Sequence, residues 1–559
     1  MIRRLKRLQL SAMNSFRGAL GFRRLAILLI AVSCITWSCS LLLSHFRIGP
    51  LGIIEGLSPL YFVAISLLVS VFFASIYKGG ISKRFLALQF ALIVIFFLAI
   101  PLAIEESPRF PYNFNAYYHI DYILQTGRLD PQGMPYQSWP GVFVLGTVII
   151  NVTGIGPVSL IQYAPIILGI LILPLGYLLL KTFLRSEREI WAGMLISGVI
   201  FWGSSCYFLP GFLAGLVSLF LIVFLVRFEI IERRKSVAFR GAMIVLMFAL
   251  TISHLLTSVQ LLFLLLVLVP TLRIMRIKSN FVSLLLLMAS IVAAWQIYVV
   301  GSYSLTIISS FLKSMLDYDS TISAVSQIGF GGSSEHAFVV IVRIVSAGGF
   351  TILAIAGFIF GLRRELRKPK GSRELLDSII IPVWIAANAS MILLTSYGGE
   401  IVSRVFGSSI SPLTVSSAKT ISSKYLAIPL ICILIVFPSI SVINSYGNEA
   451  VDYISPQEIS GVLFVSEASS IGAKVGSVDY RIWGLAGHNT IAHQRVNLSS
   501  FWNGSKLNTD LFVVSIREIE ASNFLSGGSI EFHDMMVSVE GRLTSRIYSE
   551  PGFVAFRIG

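Results

Sequence analysis

Apolar runs of about 20 residues recur along the chain, at 25–46, 58–77, 85–104 and 281–299, with short polar and basic segments between them. As helices rising about 1.5 Å per residue, such runs cross roughly 30 Å of hydrocarbon. They are continuous and do not alternate, which argues against membrane strands. Comparable runs occupy 157–180, 189–206, 209–226, 239–254, 256–272, 337–361, 377–396 and 425–443. A weaker one, with Ser and Thr throughout, occupies 403–418 and brings the expected number of spans to about 13. After residue 444 the pattern changes. Short apolar runs at 461–465, 511–514 and 553–558 alternate with polar segments, and Ser515–Phe524 has helical periodicity. The pattern predicts an all-α polytopic transmembrane bundle over 1–444, followed by a small α/β soluble domain over 445–559.

Charge adds a topology. The 559 residues carry a formal net charge of +15, yet only 13% are charged and 55% are hydrophobic. The cations cluster between the apolar runs, as in cytoplasmic loops, so no nucleic-acid partner is expected. Arg3, Arg4, Lys6, Arg7, Arg17, Arg23 and Arg24 place the N-terminus inside, with the first run read as an uncleaved span. Alternation then puts 105–156 outside as a first outer loop. Within it Pro140–Ile155 is short and interrupted by glycines. Counted as a span, it would put Lys181, Arg185 and Arg188 outside, so it is expected to lie along the outer interface. If 403–418 crosses, Lys419 and Lys424 are inside and the C-terminal domain is extracytoplasmic. If it is a loop, that domain is cytoplasmic. The first arrangement is preferred, and the protein is expected in the cell membrane. Cys34, Cys39, Cys206 and Cys432 all fall in apolar spans, so the C-terminal domain has no disulfides.

The first outer loop has the densest chemistry. Glu105 and Glu106 emerge directly from a span. A short helix is expected over Asn115–Thr126 with Gly127 as its C-cap. On it Asn115, Tyr118, His119 and Tyr122 share one face. An interfacial aromatic belt is the alternative reading of these residues. His254 lies between two spans near the outer surface, where an ionisable group is either functional or a neutral imidazole bonded locally. Asp317, Tyr318 and Asp319 match a pattern that holds a divalent cation in some transferases, and Glu335 and His336 are a similar pair; a solvated loop is the preferred reading of both. Glu400 and Arg404 stand one helical turn apart just past a span. They pair with each other, or Arg404 holds a lipid phosphate through its bidentate fork. There is no phosphate-binding loop, dinucleotide fingerprint, zinc spacing or nucleophile elbow, so ATP-driven transport has no support.

The carboxylates at Glu105 and Glu106, the short helix ending near Gly127, and the Tyr136–Gly156 stretch together resemble the GT-C superfamily of membrane glycosyltransferases. Its members include the protein O-mannosyltransferases, the oligosaccharyltransferases and the aminoarabinose transferase of lipid A. The many-span body and the C-terminal domain look like its archaeal-type members. The resemblance implies transfer of a sugar from a polyprenyl-phosphate donor to a glycan, lipid or protein acceptor on the outer face. It implies catalytic roles for Glu106, Glu105 and His119, and substrate binding by Asn115, Tyr118, His254, Glu400 and Arg404. One departure stands out. The family often has Asp four residues before a His on this helix, and this chain has Asn115, whose amide cannot act as a base. Glu105, Glu106 or Asp121 would then take the role, with Glu106 favoured because Asp121 lies on a different helical face from His119. A transporter or flippase of lipid-linked saccharide is one alternative, and a non-catalytic membrane subunit derived from the fold is the other.

Overall fold

The computed structural model describes residues 2–45, 51, 53–78, 81–110, 112–200, 207–227, 237–276, 281–301, 303–306, 309, 333–366, 372–393, 401–423, 427–447, 449–469, 473–477, 492–495, 509–515, 517–519, 523, 534, 536, 545–551 and 553–557. The helices of ten residues or more among them are α1 Ile2–Leu43, α2 Pro59–Lys78, α3 Lys83–Leu98, α4 Tyr112–Thr126, α5 Gly141–Thr153, α6 Pro157–Phe183, α7 Glu187–Ile200, α8 Pro210–Phe224, α9 Val237–Ser253, α10 Leu255–Ile274, α11 Phe281–Trp295, α12 Ser334–Leu366, α13 Ser372–Ser390, α14 Ile401–Ala418, α15 Ala427–Tyr446 and α16 Pro456–Ala468. Proline opens α6 and α8 at a position where its missing N–H is no loss.

The chain is a multi-pass membrane protein. Among the described residues 7 helices have the length and apolarity of a crossing: Gly21–Leu43, Pro59–Lys78, Pro157–Phe183, Pro210–Arg227, Leu255–Ile274, Phe281–Val300 and Ser334–Leu366. Shorter apolar helices lie at Gly141–Thr153, Val237–Ser253, Ser378–Ser390 and Ile435–Tyr446. This measure does not reach the thirteen spans expected, for local reasons. The 85–104 run breaks at Ala99, and a separate short helix, Ile100–Ile104, follows with Pro101 in its first turn. In the 189–206 run, residues 201–206 lie outside the described residues. The 403–418 run is helical as α14, but its hydroxyl side chains lower its apolarity.

Polar contacts divide the bundle into two faces. On one, Phe110 N–H donates to Asp452 O at 2.8 Å, Ser107 Oγ donates to Ile454 O, and Phe114 sits in the core of the C-terminal domain. The 105–156 segment and that domain therefore share a side. On the other face Lys83 pairs with Glu187, Arg364 with Glu189 at 2.7 Å, and Lys419 with Glu365 at 3.8 Å. Helix α14 runs from Arg404 on the first face to this second cluster, where Ser422, just beyond it, donates to Glu189 at 2.6 Å. Gly357 and Gly361 of α12 let α14 approach. A Cβ on Gly357 would lie 2.0 Å from Ser416 O, and one on Gly361 would lie 2.6 Å from Lys419 Cδ. Helix α5, about 20 Å long, begins against Ser253, and the first turns of α6 follow it on the same face.

The C-terminal domain packs α16 on a five-stranded sheet of order β2-β1-β3-β5-β4. Its strands are β1 Lys474–Ser477, β2 Ala492–Arg495, β3 Leu511–Ser515, β4 Ser545–Glu550 and β5 Phe553–Arg557. β1 runs parallel to β2 and β3, and β5 antiparallel to β3 and β4. Ser455 and Glu458 form a capping box at the start of α16. Glu458 also accepts from Ser515 Oγ at 2.7 Å and from Arg517 Nε at 2.9 Å, a buried tie between helix and sheet.

Candidate functional site

Glu105 caps the 100–104 helix in an extended conformation, which turns its side chain back onto the chain that follows. Its carboxylate accepts from Arg109 Nη1 at 2.6 Å, with the two side chains 0% and 2% exposed. Arg109 also lies 3.8 Å from Asp452 and 5.1 Å over the Tyr446 ring. Arg343 of α12 donates to Asn444 O nearby at 2.9 Å. Removing one partner of such a buried pair costs about 3–5 kcal/mol, because a charge is stranded without water. Glu105 thus has a structural partner, whereas Glu106 beside it is exposed. Phe110 stacks on Tyr207 at 5.0 Å. Burial pushes the Tyr207 phenol well above its ordinary range, against the opposing pull of Arg109. A cleft here is lined by Pro101, Ser107, Arg109, Gln162, Tyr207 and Tyr446.

Helix α4 begins three residues earlier than the sequence predicts and ends as predicted. Gly127 takes φ +67°, and its N–H bonds Ile123 O at 2.9 Å. Phe114 points into the C-terminal domain, while Ala116 and Ile120 pack against α5. Between these contacts His119 is buried. It stacks on Tyr136 at 5.7 Å, tilts against Phe143 at 4.6 Å and meets the edge of Tyr118 at 5.2 Å. Its polar partner carries no local sequence signature. Gln137 Oε1 accepts from Asp130 N–H at 2.7 Å, which turns Nε2 toward His119 Nδ1 at 3.4 Å. Asn115 and Tyr118 are half-buried on the same helix, and burial raises the Tyr118 phenol. Asp121 accepts from Gln125 on its own helix at 2.7 Å.

The structure brings two predicted residues, His254 and Arg404, to one point. A Cβ placed on Gly211 would lie 3.7 Å from His254 Nε2 and 3.9 Å from Arg404 Nη1. Gly211 is the second residue of α8, and His254 is the N-cap of α10. His254 Nδ1 lies 2.9 Å from Thr257 Oγ1 and 3.3 Å from Thr257 N, and when it accepts from that N–H the ring proton is on Nε2, on the Gly211 side. Burial first, and Arg404 second, push the His254 pKa down to about 3, so the ring is neutral. A guanidinium, an imidazole and the starts of two helices meet at Gly211. Such a corner suits an anion.

Packing links these places. His119 rests on Phe143 of α5, and a Cβ on Gly141, the first residue of α5, would lie 2.5 Å from Ser253 Oγ. Ser253 adjoins His254. Trp295 donates to Ser138 O at 2.8 Å, which fixes the turn that carries Gln137. On the other side, Tyr207 precedes Gly211 by four residues. Glu400, Asp317 and Asp319 lie outside the described residues. Among the described residues no group of three or more His, Cys, Asp or Glu is placed to hold a metal ion.

No protein-family model matches the chain. No curated protein matches it either. Solved structures do. The oligosaccharyltransferase of Archaeoglobus fulgidus tethered with an acceptor peptide containing the NVT sequon aligns over 85% of this chain and 74% of its own, at 12% identity and TM-score 0.47. The archaeal oligosaccharyltransferase AglB from Archaeoglobus fulgidus, in complex with an inhibitory peptide and a dolichol-phosphate, aligns with the same coverage and identity at TM-score 0.49. ArnT from Cupriavidus metallidurans bound to undecaprenyl phosphate aligns over 85% of this chain and 98% of its own, at 12% identity and TM-score 0.46. The chain is similar to these three structures at 12% identity and TM-scores below 0.5.

Proposed function

We propose that this protein is a GT-C-type transferase that moves a sugar from a polyprenyl-phosphate carrier to a hydroxyl or amide acceptor. The chemistry would take place on the face shared by the 105–156 segment and the C-terminal domain, which we read as the extracytoplasmic face. The observation that carries this reading is the corner formed by Arg404, His254 and the starts of α8 and α10. In transfer, the acceptor atom forms a bond to the anomeric carbon as the bond from that carbon to the phosphate oxygen breaks. The phosphate leaves with the bonding electrons and its negative charge grows. Arg404 and His254 Nε2–H stabilise that charge best in the transition state, where it is developing. Glu106 takes the acceptor proton or orients the acceptor, which its exposure permits. His119 and Tyr118 line the sugar side, with Asn115 and Glu400 as further binding residues. Helix α5 would lie along the membrane interface, and the 50% and 80% exposure of Val148 and Val152 supports that placement.

Membranes containing the protein, incubated with radiolabelled polyprenyl-phosphate sugars, test the reading. Arg404→Ala should abolish transfer while the protein still accumulates. Arg404→Lys should restore little, because a point charge does not reproduce bidentate contact. Undiminished transfer by Arg404→Ala would reject its role.

A further inference from the structure

The face opposite the first loop carries cations that the proposed reaction does not use. Arg23 and Arg24 on α1, Lys78 at the end of α2, Lys83 and Arg84 at the start of α3, Lys181 near the end of α6, and Arg185 and Arg188 flanking the start of α7 are all exposed. Ring contacts join Lys83 to Lys181 and seat Arg23 and Arg188 on neighbouring aromatic rings, and the other cations adjoin these in sequence. The Arg23 guanidinium lies 6.0 Å from the Phe85 ring. The Lys83 and Lys181 ammonium groups both lie 6.0 Å from the Tyr177 ring. Arg188 lies 5.8 Å over Tyr77 and donates to its carbonyl at 3.3 Å. Glu187, paired with Lys83, is the one exposed carboxylate in the rim among the described residues. Cations gathered in this excess repel one another unless anions sit among them.

What lies on the membrane side of these cations identifies the anion. Leu28 follows Arg24 by one helical turn, and Leu88 follows Arg84 by one turn, so each cation shares a helix face with an exposed leucine. Leu25, Leu28 and Leu88 are 50%, 60% and 55% exposed. Tyr77 and Tyr177 stand at the same level, where aromatic side chains favour the boundary between headgroups and hydrocarbon. A cationic strip above an apolar strip matches a molecule with an anionic head and an acyl tail. A nucleic acid or free phosphate would use only the upper half. We propose that this rim binds anionic phospholipids of the adjoining leaflet, the headgroup phosphate on Arg23, Arg24, Lys83, Arg84 and Lys181, and the chains along Leu25, Leu28 and Leu88.

Full-length protein in detergent, titrated with phosphatidylglycerol or phosphatidylcholine and read by native mass spectrometry, tests this. Phosphatidylglycerol should be retained at least about tenfold more tightly than phosphatidylcholine, and the preference should shrink in high salt. A variant with Arg23, Arg24, Arg84 and Lys181 all changed to Gln should lose the preference. Changing Arg273 and Arg276 to Gln, outside the rim, should not. If the fourfold variant fails to fold, the salt dependence and the comparison of the two lipids in the wild type still decide. Equal retention of the two lipids, an unchanged preference in the rim variant, or displacement by inorganic phosphate at equal concentration would overturn the proposal.

Discussion

Glu105 and Glu106 adjoin in sequence but differ in surroundings. The first is sealed against Arg109, and the second is open to solvent. Glu105→Gln is therefore expected to lower stability by about 3–5 kcal/mol, seen as an earlier thermal melt. Glu106→Gln should melt like the wild type and lose transfer. The reverse pattern would exchange their roles. His254 makes a pH prediction. Its folded pKa is about 3, against about 6.5 in an unfolded chain. The neutral ring thus favours folding fully above pH ~6.5, and that contribution falls away as pH drops toward ~3, since the unfolded state takes up the proton first. The melting temperature should decline between pH 7 and pH 5, and His254→Gln should flatten part of that decline.

Among the elements, α14 shows why hydropathy alone misjudges a helix. Ser409, Thr414, Ser416 and Ser417 are buried by protein rather than bathed in lipid. Their hydroxyls can bond within the helix, as Ser417 does to Leu413 O at 2.9 Å. A helix wrapped by neighbours needs little apolarity, so the 403–418 pattern looks weak while the helix is secure. Gly357→Ala tests the closeness of that wrapping. Its methyl would meet Ser416 O at 2.0 Å, so the variant should lose about 1–3 kcal/mol in thermal melting, with Gly348→Ala, where nothing lies within 4 Å, as the neutral control. The 85–104 run misleads in the opposite direction. It is apolar but for Gln89, yet Pro101 interrupts it, and the break sets Glu105 and Arg109 at the start of the first loop.

Across the whole molecule, the periodic features were legible in the sequence. These include long apolar runs, the Gly127 cap, and the short apolar runs at 511–514 and 553–558 that became strands. Arg404 and His254 were legible as chemistry, since charged and ionisable groups near lipid are costly unless used. Their meeting at Gly211 was not, because it depends on the packing of α8, α10 and α14, which no local pattern encodes. Arg109 stands four residues from Glu105, a spacing that could have announced the pair. Its second carboxylate, Asp452, could not be read, because residues more than 300 positions apart in sequence meet only after folding. Asp452→Asn should loosen the join between the first loop and the C-terminal domain, seen as faster hydrogen exchange over 107–114; unchanged exchange would show that Glu105 alone holds Arg109. The most direct measurement for the account as a whole is an experimental structure of the protein with a bound polyprenyl phosphate. The phosphate should lie within hydrogen-bond reach of Arg404 and His254 Nε2, on the face of the C-terminal domain. A carrier whose phosphate sits only on the opposite, basic face would contradict it.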